Sequence, residues 1–249
     1  MAGHSKWSNI KHKKARMDEK RGKEYTKLAK ELTIAARMGG GDPEMNSKLK
    51  LTIQKAKEIN MPNDNINRAI KKGTGELESE TYEEFIYEGY APGGVAVILE
   101  IATDNRNRTA SDIRHLFSKH GGNLGETGCV AWMFDRVGLV TVSSEKLADV
   151  DEFMLTALEL GADDVREDED LLEIISSVED FMDLRDAIEK VATIEDADMV
   201  YLPKNIVEVN DEDTAMKVMK LIDVLEDHDD VQNVYANFSI PDEIMDKFE

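Results

Sequence analysis

The hydrophobic period of this chain changes once, near Gly75. Before that point apolar residues recur at steps of three and four. Beyond it they alternate or run together. One segment cannot serve both periods, because side chains turn by about 100° per residue in a helix and about 180° in a strand. The change predicts an α+β protein of more than one domain, with a helical first part and a mixed remainder. The length of 249 residues allows two or three domains with real cores.

Charge divides at the same place. Residues 1–75 hold 18 Lys+Arg against 8 Asp+Glu, a net +10, and the rest hold 13 against 44, a net −31. The whole-chain net charge of −21 hides this split. A basic segment joined to an acidic body is the pattern of a module that faces a polyanion.

The basic segment has helical order. Lys20, Lys23, Lys27 and Lys30 recur at steps of three and four, Arg21 lies beside them, and Arg16 and Arg37 extend the row at either end. Tyr25, Leu28, Leu32 and Ala35 form a second row. The two rows lie roughly 150° apart around a helix, so one side packs while the other faces a polyanion. Lys6, Trp7, Lys11, His12, Lys13 and Lys14 precede them as a basic arm. Trp7 suits stacking on an unpaired base or docking on its own bundle. The alternative for the whole row is a solvated helix face.

The remaining elements follow in order. Helices are expected over about Asp18 to Met38, Ser47 to Ile59, and from Pro62 with Gly73 as its stop. Lys48, Lys55 and Lys57 add to the positive surface of this three-helix bundle. Phe85 to Tyr90, the turn Ala91-Pro92-Gly93-Gly94 and the apolar run Val95 to Ile101 read as a hairpin. A helix then runs to about His120, followed by a glycine loop over 121–128. Leu139 to Val142, a helix from Lys146 to Leu160, Leu171 to Ser176, a helix from Phe181 to Val191, and Asp198 to Leu202 approach the βαββαβ order of a ferredoxin-like unit. Asn205 to Val209, a helix from Asp213 to Leu225, and Val231 to Ser239 would complete the sheet begun at residue 82. The expected domains are 1–78, a discontinuous α+β domain over 79–136 plus 205–249, and an inserted acidic domain over 137–204.

Catalytic and cofactor chemistry are not indicated. The glycine loop lacks P-loop spacing and precedes a strand. His4, His12, His115, His120 and His228 show no metal-ligand spacing with one another or with Cys129. No nucleophile elbow is present. One cysteine excludes a disulfide framework and fits a reducing compartment. No apolar run reaches the roughly 20 residues that span a bilayer. No enzyme activity, metal, cofactor or small-molecule substrate is expected.

Several motifs resemble one family throughout the chain. They are Ala2-Gly3-His4-Ser5-Lys6-Trp7-Ser8-Asn9-Ile10-Lys11-His12, Asn60-Met61-Pro62, Tyr87-Glu88-Gly89-Tyr90-Ala91-Pro92-Gly93-Gly94, Asp104-Asn105-Arg106-Asn107-Arg108-Thr109, Gly121-Gly122-Asn123-Leu124-Gly125 and Val130-Ala131-Trp132. They resemble the YebC/PmpR family. The resemblance implies a three-helix N-terminal domain followed by two α+β domains around a cleft. It also implies a bacterial cytoplasmic protein, since no transit peptide precedes Gly3. It implies a DNA-binding transcriptional regulator. Relatives that act as translation factors at the ribosome, including a mitochondrial activator of cytochrome oxidase subunit synthesis, imply ribosomal or transfer RNA as the other ligand, with ribosomal proteins as further partners. A third reading, a protein-interaction scaffold charged only for solubility, predicts that residues 1–76 bind neither nucleic acid.

Overall fold

A computed structural model describes residues 18–78, 80–168 and 170–245, with side chains of 18–21 and 242 left aside. It is an α+β structure of helices and antiparallel sheets. Helices α1 (Asp18–Gly39), α2 (Ser47–Glu58) and α3 (Asn63–Thr74) come first. Their apolar rows meet in one core of Leu32, Ala35, Ala36, Leu49, Ala56, Met61, Ile66 and Ala69. Asn46 caps α2 by accepting a hydrogen bond from the Leu49 amide. Gly73 does not stop α3. It lies inside the helix, where an added Cβ would stand 2.3 Å from the Thr33 carbonyl oxygen of α1. The stop is Gly75, at φ +84°. The missing Cβ of Gly73 is what lets α1 and α3 cross closely.

Strands β1 (Glu83–Ala91) and β2 (Val95–Thr103) form the expected hairpin in the register Tyr87↔Leu99. Gly93 and Gly94, both at positive φ, make its turn. After α4 (Arg106–Lys119), β3 (Asn123–Leu124) pairs with β1. The fourth strand of this sheet, β9 (Val231–Ala236), arrives from far along the sequence and pairs antiparallel with β2. One sheet face packs on α4 and on α7 (Glu212–Glu226), through Val97, Leu99, Ile113, Phe117, Val218 and Ile222. The other face holds Ala96 and Ile98 against Val130, Phe134 and Tyr235. Burial on both faces is why β2 is a continuous apolar run rather than an alternating one.

Between these halves lie β4 (Phe134–Ser143), α5 (Val150–Glu159), β5 (Asp164–Asp168), β6 (Leu171–Ser176), α6 (Phe181–Ile188) and β7 (Ile194–Pro203). The sheet order β5-β6-β4-β7, all antiparallel, is ferredoxin-like. The sequence reading has no strand at β5. Four of its five residues are charged, and it sits at the sheet edge with only Val165 packed on the core. A short parallel pair, β8 (Val207–Glu208) with β10 (Phe238–Ser239), and the C-terminal turn α8 (Asp242–Met245) finish the described chain. Leu51 of α2 joins the ferredoxin-like core, so the bundle is seated on that unit by packing as well as by charge.

The glycine loop before β4 wraps around an anion that the protein itself supplies. Glu88, 3% exposed, accepts hydrogen bonds from the amides of Gly128 at 2.6 Å, Val130 at 2.8 Å and Ala131 at 2.7 Å. These amides are the kind that could cradle a phosphate, but a carboxylate already satisfies them.

Candidate nucleic-acid interface

Three lysines of the α1 row, Lys23, Lys27 and Lys30, meet acceptors of the protein itself. Lys23 donates to the Asp227 carbonyl at 3.3 Å and pairs with its carboxylate at 3.4 Å. Lys27 donates to the Glu226 carbonyl at 2.6 Å. Lys30 donates to the Asp229 carbonyl at 2.9 Å and to Asp230 Oδ1 at 2.8 Å. These acceptors are the end of α7 and the turn that follows. A helix C-terminus presents unpaired carbonyls and a partial negative charge, so it is a natural seat for ammonium groups. The expectation that the apolar row packs while the lysine row faces an external polyanion is corrected for these three residues. Lys30 is buried against the protein's own acidic body, and Lys23 pairs with Asp227 at its partly exposed rim.

Asp230 is the hub of this contact. It is 4% exposed and accepts from Lys30, Thr103, Thr109 and Arg108, the last at 2.9 Å. Burial alone would raise its carboxyl. Hydrogen bonds from Lys30, Arg108 and Thr109 outweigh burial and hold it well below the usual carboxylate range.

Two further ion pairs tie the bundle down. Lys48 meets Glu84 of β1 at 2.9 Å, and Lys55 meets Asp198 of β7 at 2.5 Å. Desolvation opposes the charge on Lys55, but Asp198 and Glu31 prevail and push its ammonium up to about 12. Desolvation also pushes the Glu31 carboxyl up, against Lys55 and Lys48. Of the three lysines expected to add positive surface, Lys48 and Lys55 are therefore neutralised, and Lys57 is exposed. Arg37 is exposed and donates to the Glu80 carbonyl at 3.1 Å.

The other expected contact residues fall outside what the structure describes. Lys6, Trp7, Lys11, His12, Lys13, Lys14 and Arg16 lie beyond the described residues, and Lys20 and Arg21 are placed only as backbone of α1. Besides Lys57, which was expected, the structure adds Lys50, Arg68 and Lys71 to the positive surface. Arg68 and Lys71 are exposed on α3, and Lys50 and Lys57 lie a helical repeat apart on α2. None of these four has an ion-pair partner among the described residues. Their signal was the same three- and four-residue spacing, masked by the denser row on α1.

Helix α1 separates two concavities of opposite character. The cleft where the bundle meets both sheets, about 490 Å³, is lined by eight carboxylates and only three lysines. The groove on the neighbouring flank of α1, about 440 Å³, is lined among the described residues by Lys30, Arg68 and Lys72 and no carboxylate. Among the described residues no cluster of side chains fits a metal ion, and no helix is long and apolar enough to cross a membrane.

The fold and its interface define a three-part α+β protein with a basic helical head clamped to an acidic body. The chain belongs to the TACO1/YebC family: residues 5–76 match the family model described as the TACO1/YebC protein N-terminal domain, and residues 82–238 the one described as the second and third domain. This is the family that the motifs resemble. A relative from Syntrophomonas wolfei is 68% identical over 248 residues, 98% of this chain and 99% of that protein. One from Halothermothrix orenii is 61% identical over 249 residues, 99% and 98% of the respective chains. Both carry the name "Probable transcriptional regulatory protein". The crystal structure of a conserved hypothetical protein from Aquifex aeolicus superposes with a TM-score of 0.86 at 50% identity, covering 95% of this chain and 97% of that one.

Proposed function

We propose that this protein is a non-enzymatic, nucleic-acid-binding regulator of the cytoplasm, with DNA as its ligand and transcription as the process it controls. The observation that carries the reading is the segregation of charge, +10 in residues 1–75 against −31 beyond. The names of the relatives support the transcriptional assignment. In this reading residues 1–78 are the binding domain. Residues 79–136 with 205–249 form its platform, and 137–204 are an inserted acidic domain. Contacts come from the arm (Lys6, Lys11, Lys13, Lys14 and Arg16), from Lys20 and Arg21, and from the exposed Lys57, Arg68 and Lys71. Lys23, Lys27 and Lys30 hold the head in place rather than touch phosphate. About six phosphate contacts would lower affinity roughly 10³-fold between 50 and 200 mM salt. Gel shifts with duplex DNA at low salt test this, and absence of any shift refutes it.

A second reading rests on one observation. With Lys23, Lys27 and Lys30 tied to the end of α7, the described side chains of α1 offer no free cationic stripe to a DNA groove. The ligand of the arm is then folded RNA, and the protein is a ribosome-associated translation factor. Crosslinking in cells, followed by sequencing of attached DNA and attached RNA, separates the two.

A further inference from the structure

The basic flank of α1 contains a groove of which the proposed function uses only Arg68. It lies between α1 and α3 and is closed on one side by Tyr82, just before β1. Its volume of about 440 Å³ is within the range of roughly 300–1,000 Å³ typical of small-molecule sites. Lys30, Arg68 and Lys72 line it, with Tyr25, Asn65 and Tyr82. Lys30 Nζ sits 5.6 Å from the Tyr82 ring centroid, which fixes that ring beside the groove. Tyr25 is pinned by donating to the carbonyls of Ile59 and Asn60. A cavity that joins cations, an aromatic ring held also by its hydroxyl on Glu80 and a side-chain amide, with no carboxylate among its described lining residues, matches the parts of a nucleotide. Phosphate needs the cations, a base needs a flat apolar face, and its edge needs a polar partner.

We propose that this groove seats one unpaired nucleotide of a single-stranded segment, with its phosphate on Arg68 and Lys72 and its base against Tyr82. The inference rests on the nucleic-acid reading above and specifies the form of ligand the head selects. A paired base keeps its face in the stack and cannot enter. A flipped or single-stranded base can. DNA and RNA share this chemistry.

The test is fluorescence anisotropy with the full chain and three labelled probes of about 16 nucleotides: oligothymidylate, oligouridylate and a DNA duplex. Tyr82→Ala is expected to weaken single-strand binding roughly tenfold and to leave duplex binding within about twofold, while Tyr82→Phe restores single-strand affinity. Arg68→Ala, at an exposed position, is expected to lower the salt slope on single strands by about one. The comparison of thymidylate with uridylate reports whether the 2′-hydroxyl is favoured. If the wild-type chain binds single strands and neither Tyr82→Ala nor Arg68→Ala weakens them, the groove is not the site. Equal loss on single strands and duplex from Tyr82→Ala overturns it as well. Failure of the wild-type chain to bind any probe removes the nucleic-acid reading itself.

Discussion

Lys30 Nζ lies 2.8 Å from Asp230 Oδ1, with side-chain exposures of 11% and 5%, and no other ion pair described between the bundle and the sheets is as deeply buried. An exposed pair contributes little because water screens it. A buried one is costly to break, because the surviving partner is left charged in a poor solvent. Asp230→Ala is expected to destabilise the protein by about 3–5 kcal/mol. Lys30→Met costs less, about 1.5–3 kcal/mol, since Thr103, Thr109 and Arg108 still serve the carboxylate. Urea unfolding of both variants measures this, and losses below about 0.5 kcal/mol in both would show that the contact does not fasten the head.

Acid should loosen the same contact. The folded-state pKa of Asp230 is depressed, so its stabilisation is complete above the unfolded value of about 3.9 and is lost as pH falls below that toward the folded value. Unfolding free energy of the wild type should decline between about pH 4 and pH 2 more steeply than that of Asp230→Asn. Lys55 acts at the other extreme. Its pKa is raised to about 12, so its contribution is present below the unfolded value of about 10.4 and disappears as pH rises through the folded one. Asp198→Asn should flatten that alkaline decline.

Gly73 and Gly22 should respond oppositely to the same substitution. A Cβ at Gly73 meets the Thr33 carbonyl at 2.3 Å and Ala36 Cβ at 2.7 Å, so Gly73→Ala must push α1 from α3 and is expected to cost about 1–3 kcal/mol. A Cβ at Gly22 meets nothing within 4 Å, so Gly22→Ala should gain about 0.5–1 kcal/mol of helix propensity. Thermal melts of the two variants settle the signs.

Glu88→Gln should release the loop that reaches Trp132. An amide supplies one acceptor oxygen where the carboxylate supplies two, and it buries an NH₂ among N–H donors. A loss of about 2–3 kcal/mol is expected. In a Trp7→Phe background, fluorescence reports on Trp132 alone, whose indole donates to the Cys129 carbonyl at 3.2 Å. An unchanged spectrum and unchanged stability would refute the role given to Glu88.

Elements with a strong period were legible from residues. Leu32 and Ala35 marked α1, the run from Val95 marked β2, and Val231 to Ser239, expected to complete the sheet begun at residue 82, supplies β9 beside β2. Asp164–Asp168 was not legible, because a charged edge strand carries one inward residue and no alternation to detect. The row Lys23, Lys27 and Lys30 was found, yet its destination was not. Spacing tells which residues share a face of a helix, while what covers that face depends on where Asp227 and Asp230 arrive some 200 positions later. The cations left exposed, such as Arg68, became visible only once those had been matched with their acids.

Phe134 pairs with Pro203 at the mouth of the ferredoxin-like unit. The polypeptide thus departs from the first domain's sheet and rejoins it at a single doorway. A short turn across that doorway could replace everything beyond it without disturbing how β1, β2 and β9 hold together. The trimmed chain would forfeit the Lys55–Asp198 tether and the Tyr201–Tyr235 ring contact. A chain trimmed there is expected to keep the pairing of β2 with β1 and β9, which hydrogen exchange checks.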